Sequence, residues 1–312
     1  MNKMSETIAV IDIGTNSIKF CIVKKHNGNL IPILDSVYAT RIGENFRQTG
    51  EISSEAMERN IHVIQKLCEQ SRQSGVSRII AIGTMIFRSA INADIFIYKV
   101  QSFCGINIHV LSGDEEARFS YMAAMSSIHN ISGNICVMDT GGGSTELTFG
   151  KNNNISKSLS FDIGAVLLTE SFCINDPVKE QDLKMMWHHI QQTINLYEIA
   201  QAINKLIGSC GAITTMAAVK YRLSKYDSDV IHGSILTQND VLNQIDLYAS
   251  KTIHQRRQII GIQSGRADIA LAGACIVKYV MEQLQCNQII VCDRGVRYGV
   301  VYEMLRDKQK PI

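Results

Sequence analysis

A short motif occurs twice in this chain at one fixed distance. Residues 8–20 read IAVIDIGTNSIKF and residues 135–147 read ICVMDTGGGSTEL. At an offset of 127, Ile8 matches Ile135, Val10 matches Val137, Asp12 matches Asp139, Gly14 matches Gly141 and Ser17 matches Ser144. Each copy is an apolar run that ends in an aspartate and then turns through small residues. A spacing this long is a domain duplication, since solenoid repeats run to roughly 20–50 residues. At 312 residues the chain holds two domains of ordinary size, each able to bury its own core.

The elements around the motif follow from periodicity. Residues 7–14 read as a buried strand, 17–25 as a second and 30–38 as a third. HNGN at 26–29 reads as a turn in which Gly28 can take positive φ. The opening is therefore a β-meander. A helix follows over 53–74, with Ser53 or Ser54 as N-cap, Gly75 as stop and Met57, Ile61, Ile64 and Cys68 on one apolar face. Then come a strand at 78–83, a helix at 93–104 ended by Gly105, a strand at 106–111 and a helix at 114–127. The meander restarts at 135, with 155–161 as its third strand. A long helical stretch is expected over 178–206, then a strand, glycine turn and helix start over 207–219. Helices over 238–254 and 264–285 precede a last strand, a turn and a terminal helix.

The expected fold class is α/β, with two duplicated domains, each a mixed sheet that opens with a β-meander and is flanked by helices. Domain I is expected over 1–127, completed by a C-terminal helix at about 298–312, and domain II over 128–297. Three prolines and no low-complexity linker predict close packing, a cleft between the halves and hinge motion.

Composition narrows the partners. The chain is 46% hydrophobic and 19% charged, and no apolar run reaches the roughly 18 residues of a membrane helix. MNKMSETIAVID lacks the apolar stretch and cleavage site of a signal peptide, so a cytoplasmic location with no membrane partner is expected. The nine cysteines give no Cys-x-x-Cys spacing and sit in apolar runs, as reduced core residues do. A net charge of +2 is too small for a general nucleic-acid binder, so no nucleic-acid partner is expected.

The two turns suit a phosphate ligand. Glycines let the backbone come close, and consecutive N–H groups in a turn can form an anion-binding nest. Gly14, Thr15, Asn16 and Ser17 are the candidates in the first copy. Gly141, Gly142, Gly143, Ser144 and Thr145 are those in the second. Asp12 and Asp139 would repel a phosphate directly, and they make sense with Mg²⁺ or Mn²⁺ between. Two plain hairpins would be the reading of one such turn; two copies, one extended to Gly-Gly-Gly-Ser-Thr-Glu, favour the ligand. No Walker-type loop is present. Arg88 offers a planar fork for phosphate oxygens, and Thr84, Arg88 and Asn92 would share one face of a helix. Arg256, Arg257, Arg266, Arg294 and Arg297 cluster late in the chain and could guide a polyanion, although each alone reads as a surface or ion-paired residue. Asp114, Glu115 and Glu116 open a helix, where acids suit the macrodipole.

The pattern resembles the sugar kinase, heat-shock chaperone and actin superfamily. Within it the chain resembles the exopolyphosphatase / guanosine pentaphosphate phosphohydrolase family over nearly its whole length. The motifs are VIDIGTNSIKF, AIGTMIFRSAINA (81–93), VLSGDEEAR (110–118), VMDTGGGSTEL, GAVLLTE (164–170) and DRGVRYG (293–299). The resemblance implies an actin-like (ribonuclease H-like) fold in a short two-domain form. It implies Mg²⁺-dependent release of terminal phosphate from inorganic polyphosphate, guanosine pentaphosphate or both. It places the catalytic carboxylate immediately before Ala-Arg, which is Glu116, with Glu115 as the alternative. It makes Glu146 a second site carboxylate, so that Asp139, Asp12 and Glu146 form the expected metal set. It puts the segment of Arg88 beside the site. The chain departs from the family at Ala212, where threonine is usual, and at Leu167, where arginine is common. Guanosine tetraphosphate would be the second product, and a homodimer is the assembly considered. The competing readings are an ATP-dependent phosphotransferase of the same superfamily and a guanosine-phosphate binder without turnover.

Overall fold

Each copy of the repeat builds one mixed sheet, and the two sheets share a plan. The computed structural model describes residues 6–26, 29–196 and 202–306. The first half contains β1 (Thr7–Ile13), β2 (Ile18–His26), β3 (Asn29–Tyr38), α1 (Phe46–Thr49), α2 (Ser54–Gln73), β4 (Arg78–Gly83), α3 (Met85–Ser89), α4 (Ala93–Cys104), β5 (Ile108–Val110) and α5 (Gly113–Ser127). The second half begins with β6 (Asn134–Thr140), β7 (Thr145–Lys151), β8 (Asn154–Phe161), α6 (Ala165–Phe172), α7 (Glu180–Thr193), β9 (Lys205–Gly208) and α8 (Gly211–Lys220). It continues with α9 (Ser228–Ile231), β10 (Ile235–Thr237), α10 (Gln238–Ala249), α11 (Ile253–Arg256), α12 (Ala270–Gln283), β11 (Gln288–Val291) and α13 (Val296–Arg306).

The first sheet has the order β3-β2-β1-β4-β5 and the second β10-β11-β9-β6-β7-β8. In both, the meander strands are antiparallel: β1 pairs with β2 and β2 with β3, as β6 pairs with β7 and β7 with β8. In both, the first meander strand continues into parallel neighbours, β4 and β5 in one case and β9 and β11 in the other. The mixed α/β class is thus as expected. Alternation sorts β1: Ala9, Ile11 and Ile13 enter the core with α2 and α4, and Asp12 lies on the opposite face. The predicted stripe of α2 is buried, and Ser53 caps it by accepting from the Ala56 N–H at 3.1 Å. Each fully buried Ile or Leu of this kind contributes about 1.5–3 kcal/mol.

Several expectations on element ends need correction. The stretch 178–206 is not one helix: α7 stops at Thr193, and Lys205–Gly208 is a strand between β6 and β11. Pairing in the sheet overrides helix propensity there. The helix expected over 238–254 ends at Ala249, because Thr252 and Gln255 form a second capping box that opens α11. Ser264–Arg266 is a 3₁₀ turn ahead of α12. Asn27 and Gly28 of the expected turn lie outside the described residues, as do residues 197–201 and residues 307–312 of the expected terminal helix. No helix among the described residues is long and apolar enough to cross a membrane. Eight of the nine cysteines are buried, and burial pushes the Cys21 thiol up to about 12.

Chain contacts divide the molecule into two units, Met1–Phe119 with Val296–Ile312, and Ser120–Gly295. The division falls inside α5 and not at residue 127. Tyr121 and Ala124 of that helix pack with Ile135 and Val137 of β6, which assigns its later turns to the second unit. The first unit regains the chain at α13. Arg297 donates to both oxygens of Asp35 on β3 at 2.8 and 2.9 Å, and the Tyr298 hydroxyl donates to Asp35 at 2.6 Å. Gly299 sits so close to Phe119 that a Cβ there would lie 2.0 Å from its carbonyl oxygen.

Candidate active site

The two repeated turns have the same hydrogen bond. Gly14 N–H donates to the Ser17 carbonyl at 3.1 Å, and Gly141 N–H to the Ser144 carbonyl at 2.9 Å. Both turns are also held from one side by the segment that follows the third meander strand. In the first, the Thr15 and Asn16 carbonyls accept from Gly43 and Arg41 N–H, each at 2.9 Å. In the second, the Gly141 carbonyl accepts from Ala165 at 3.0 Å and the Gly142 carbonyl from Val166 and Leu167 at 2.8 and 3.2 Å. A trans peptide points its C=O and its N–H in opposite directions. Anchoring these carbonyls therefore turns the N–H groups of Asn16 and Ser17, and of Gly142 and Gly143, away from the anchoring segment. Those four N–H groups meet no backbone acceptor among the described residues. Consecutive N–H groups of a turn left without backbone acceptors can receive an anion. The glycine that the second turn needs lies outside it. A Cβ on Gly164 would fall 2.4–2.5 Å from the Gly142–Gly143 backbone.

The carboxylates beside the turns differ between copies. Asp12 faces Lys19 across β1 and β2 and forms an ion pair of 3.9 Å with it. At the equivalent place Asp139 faces Glu146 across β6 and β7. Both of these acids are buried. Ser120 of α5 donates to Asp139 Oδ2 at 2.6 Å, and Ser160 of β8 donates to Glu146 Oε1 at 3.0 Å. Mg²⁺ in phosphate-handling sites usually takes one or two carboxylates and leaves its other positions to water and phosphate oxygens. The hard-oxygen pair Asp139 and Glu146 fits that habit. No three or more His, Cys, Asp or Glu side chains converge to hold a metal among the described residues. Asp12 belongs to the first unit and the other two acids to the second.

Within the first unit, Arg88 and Glu116 follow the carboxyl ends of parallel strands β4 and β5, as the turn 14–17 follows β1. Open α/β sheets bind ligands at this end of their strands. Arg88 Nη1 donates to the Leu111 carbonyl at 2.6 Å and to Glu116 Oε2 at 3.1 Å. The neighbouring acid is occupied differently. Ser112 and Glu115 form a reciprocal cap: Glu115 N–H donates to Ser112 Oγ at 3.2 Å, and Ser112 N–H to Glu115 Oε2 at 2.9 Å. Burial raises the Glu115 pKa, but the Ser112 N–H and hydroxyl, together with His109, outweigh it and hold the carboxyl below its ordinary range.

Other expected residues take different places. Thr84, Arg88 and Asn92 do not share a helix, because α3 ends at Ser89. Asn92 instead bridges the Ile52 N–H and C=O, at 2.9 Å each. The Thr145 hydroxyl donates to the Ile163 carbonyl at 2.7 Å, so its proton serves the packing of the turn. Arg256, Arg266 and Arg297 are buried, and Arg266 is bonded to the Gly211 carbonyl and to Thr215. They are interior residues and not a surface track for a polyanion. Ser120 and Ser160 were not candidates. For Ser120 the legible signal is its place one turn after Glu116 on α5.

Comparison with known proteins gives a consistent set of relatives. A model of the Ppx/GppA phosphatase family matches residues 21–308. The chain is 31% identical to a bifunctional 3-dehydroquinate synthase/phosphatase of Fusobacterium nucleatum, over 96% of this chain and 47% of that protein, so it spans about half of that relative. It is 26% identical to exopolyphosphatase 2 of Mycobacterium tuberculosis, over 95% of this chain and 98% of the relative. Among solved structures, an Aquifex aeolicus member of the Ppx/GppA family matches with a TM-score of 0.83 at 30% identity, covering 98% of this chain and all of that one (100%). An exopolyphosphatase from Cytophaga hutchinsonii matches with a TM-score of 0.90 at 27% identity, over 96% and 98% of the two chains.

Proposed function

The chain belongs to the Ppx/GppA phosphatase family, and we propose on that footing that it hydrolyses the terminal phosphoanhydride of inorganic polyphosphate, guanosine pentaphosphate or both. The observation that carries this reading is the pair of turns held by their carbonyls, which directs consecutive N–H groups away from the anchoring segment. In this reading the N–H groups of Asn16, Ser17, Gly142 and Gly143 bind phosphate oxygens, joined by the hydroxyls of Ser17 and Ser144. Glu116 orients a water molecule and accepts its proton. Its bond to Arg88 supports that role, since it fixes the carboxylate and keeps a guanidinium beside it. Glu115 is the weaker candidate because the helix cap engages it. Asp139 and Glu146 would hold Mg²⁺ or Mn²⁺, which supplies charge neutralisation at phosphate oxygens when bound.

Measuring phosphate release from polyphosphate and from guanosine pentaphosphate side by side tests the reading. Release from either supports it and sets the preference. Release from neither, with guanosine pentaphosphate bound intact, or transfer of the ATP γ-phosphate to an acceptor, overturns it.

A further inference from the structure

We propose that Ser120 is a positioning residue that sets the orientation of Asp139 for cation binding. This rests on the reading that Asp139 helps to hold the divalent cation. The hydroxyl of a serine or threonine within a helix usually turns back on the carbonyl four residues earlier. This protein follows the habit repeatedly. Ser71 bonds Leu67, Ser127 bonds Ala123, Thr169 bonds Ala165, Ser171 bonds Leu167 and Thr193 bonds His189, all at 2.7–2.8 Å. Ser120 departs from it. Its hydroxyl leaves the helix and donates to Asp139 Oδ2 at 2.6 Å, the short length of a charge-assisted bond.

The bond lies in a closed setting. Ser120 is 1% exposed and Asp139 5%. A Cβ on Gly295 would come 4.0 Å from the same oxygen, Oδ2, so backbone stands near it as well. A carboxylate tied by one oxygen has its plane and rotamer chosen for it. Groups that orient a metal ligand in this way are worth about 10–100-fold in metal affinity. Glu146 carries the same device in the Ser160 hydroxyl, so both members of the acid pair are oriented by serine donors from other elements.

The test uses Mn²⁺ alone, followed by electron paramagnetic resonance of the full chain, with phosphate release measured in parallel. Ser120→Ala is expected to weaken Mn²⁺ binding about 10-fold or more. Ser127→Ala removes a back-bonded serine from the same helix and is expected to leave binding unchanged. Should Ser120→Ala not fold, Ser120→Thr against Ser120→Val isolates the hydroxyl in one shape, and only the valine variant is expected to lose Mn²⁺. Parent-like affinity in Ser120→Ala or Ser120→Val, or no Mn²⁺ bound by the parent protein, overturns the inference. The two readings fail separately. A parent protein that releases no phosphate while Ser120→Ala still weakens Mn²⁺ binding defeats only the proposed reaction.

Discussion

The two hairpins share a backbone and differ in charge. Both turn with the same hydrogen bond, and both are anchored through carbonyls from the segment after the third strand. At the first, Asp12 has a cation opposite, Lys19; at the second, Asp139 has another acid, Glu146. Two buried carboxylates side by side are costly without a counter-charge or donors. The copy that carries its own lysine is balanced by the protein. The copy that carries two acids has a serine hydroxyl donating to each, from Ser120 and from Ser160. Duplication preserved the grip on the main chain, and side-chain exchange at one register position separated the electrostatics.

Breaking the carboxylate chemistry should have the largest effect. Glu116→Gln is expected to lower phosphate release by about 10²–10⁴-fold, the range for loss of a general base, while Glu115→Gln changes it little. Steady-state rates on the two variants check this, and equal losses would dissolve the distinction between the neighbouring acids. Next in size is the contrast between hairpins. Glu146→Gln is expected to weaken Mn²⁺ binding about 10–100-fold, and Asp12→Asn, whose partner lysine already supplies charge, to weaken it less. Titration of each variant with Mn²⁺ decides the order.

The anchoring glycines sharpen the comparison further. A Cβ on Gly164 meets backbone at 2.4 Å, whereas one on Gly43 meets a side-chain atom first, the Thr15 Cγ2 methyl at 2.3 Å, and backbone only at 3.3 Å. Gly164→Ala is therefore expected to cost about 1–3 kcal/mol and Gly43→Ala less, as read from denaturant midpoints. The smallest effect concerns the Ser112–Glu115 cap. The folded-state pKa of Glu115 is lowered, so its contribution is present at neutral pH and fades as pH falls through the carboxylate range. The melting-temperature gap between the parent protein and Glu115→Gln should accordingly close on acidification.

How legible this was in the sequence depended on the range of the interaction. The duplicated turn, the meanders and the stripe of α2 are local patterns, so periodicity exposed them. The cap at Ser112 and Glu115 was legible too, as Ser-x-x-Glu before a helix, and would have separated Glu115 from Glu116. The fate of Arg88 was not, because α3 is only one turn long and its partners Leu111 and Glu116 are brought in by the β4–β5 pairing. Ser120 is placed by its helix one turn after Glu116, but its acid Asp139 lies on a strand, and Ser160 reaches Glu146 from a separate strand, pairings that no spacing rule encodes. The burial of Arg256, Arg266 and Arg297 was hidden for the same reason: composition counts charges but does not say which of them carbonyls and carboxylates enclose.

The return of α13 to the first unit has a bearing on synthesis. Asp35, on a strand made early, finds Arg297 and Tyr298 only after the residues 120–295 of the second unit have been translated. The first sheet must therefore emerge from the ribosome with one face still waiting for its last helix. A nascent chain arrested before residue 296 would present that uncovered face to chaperones.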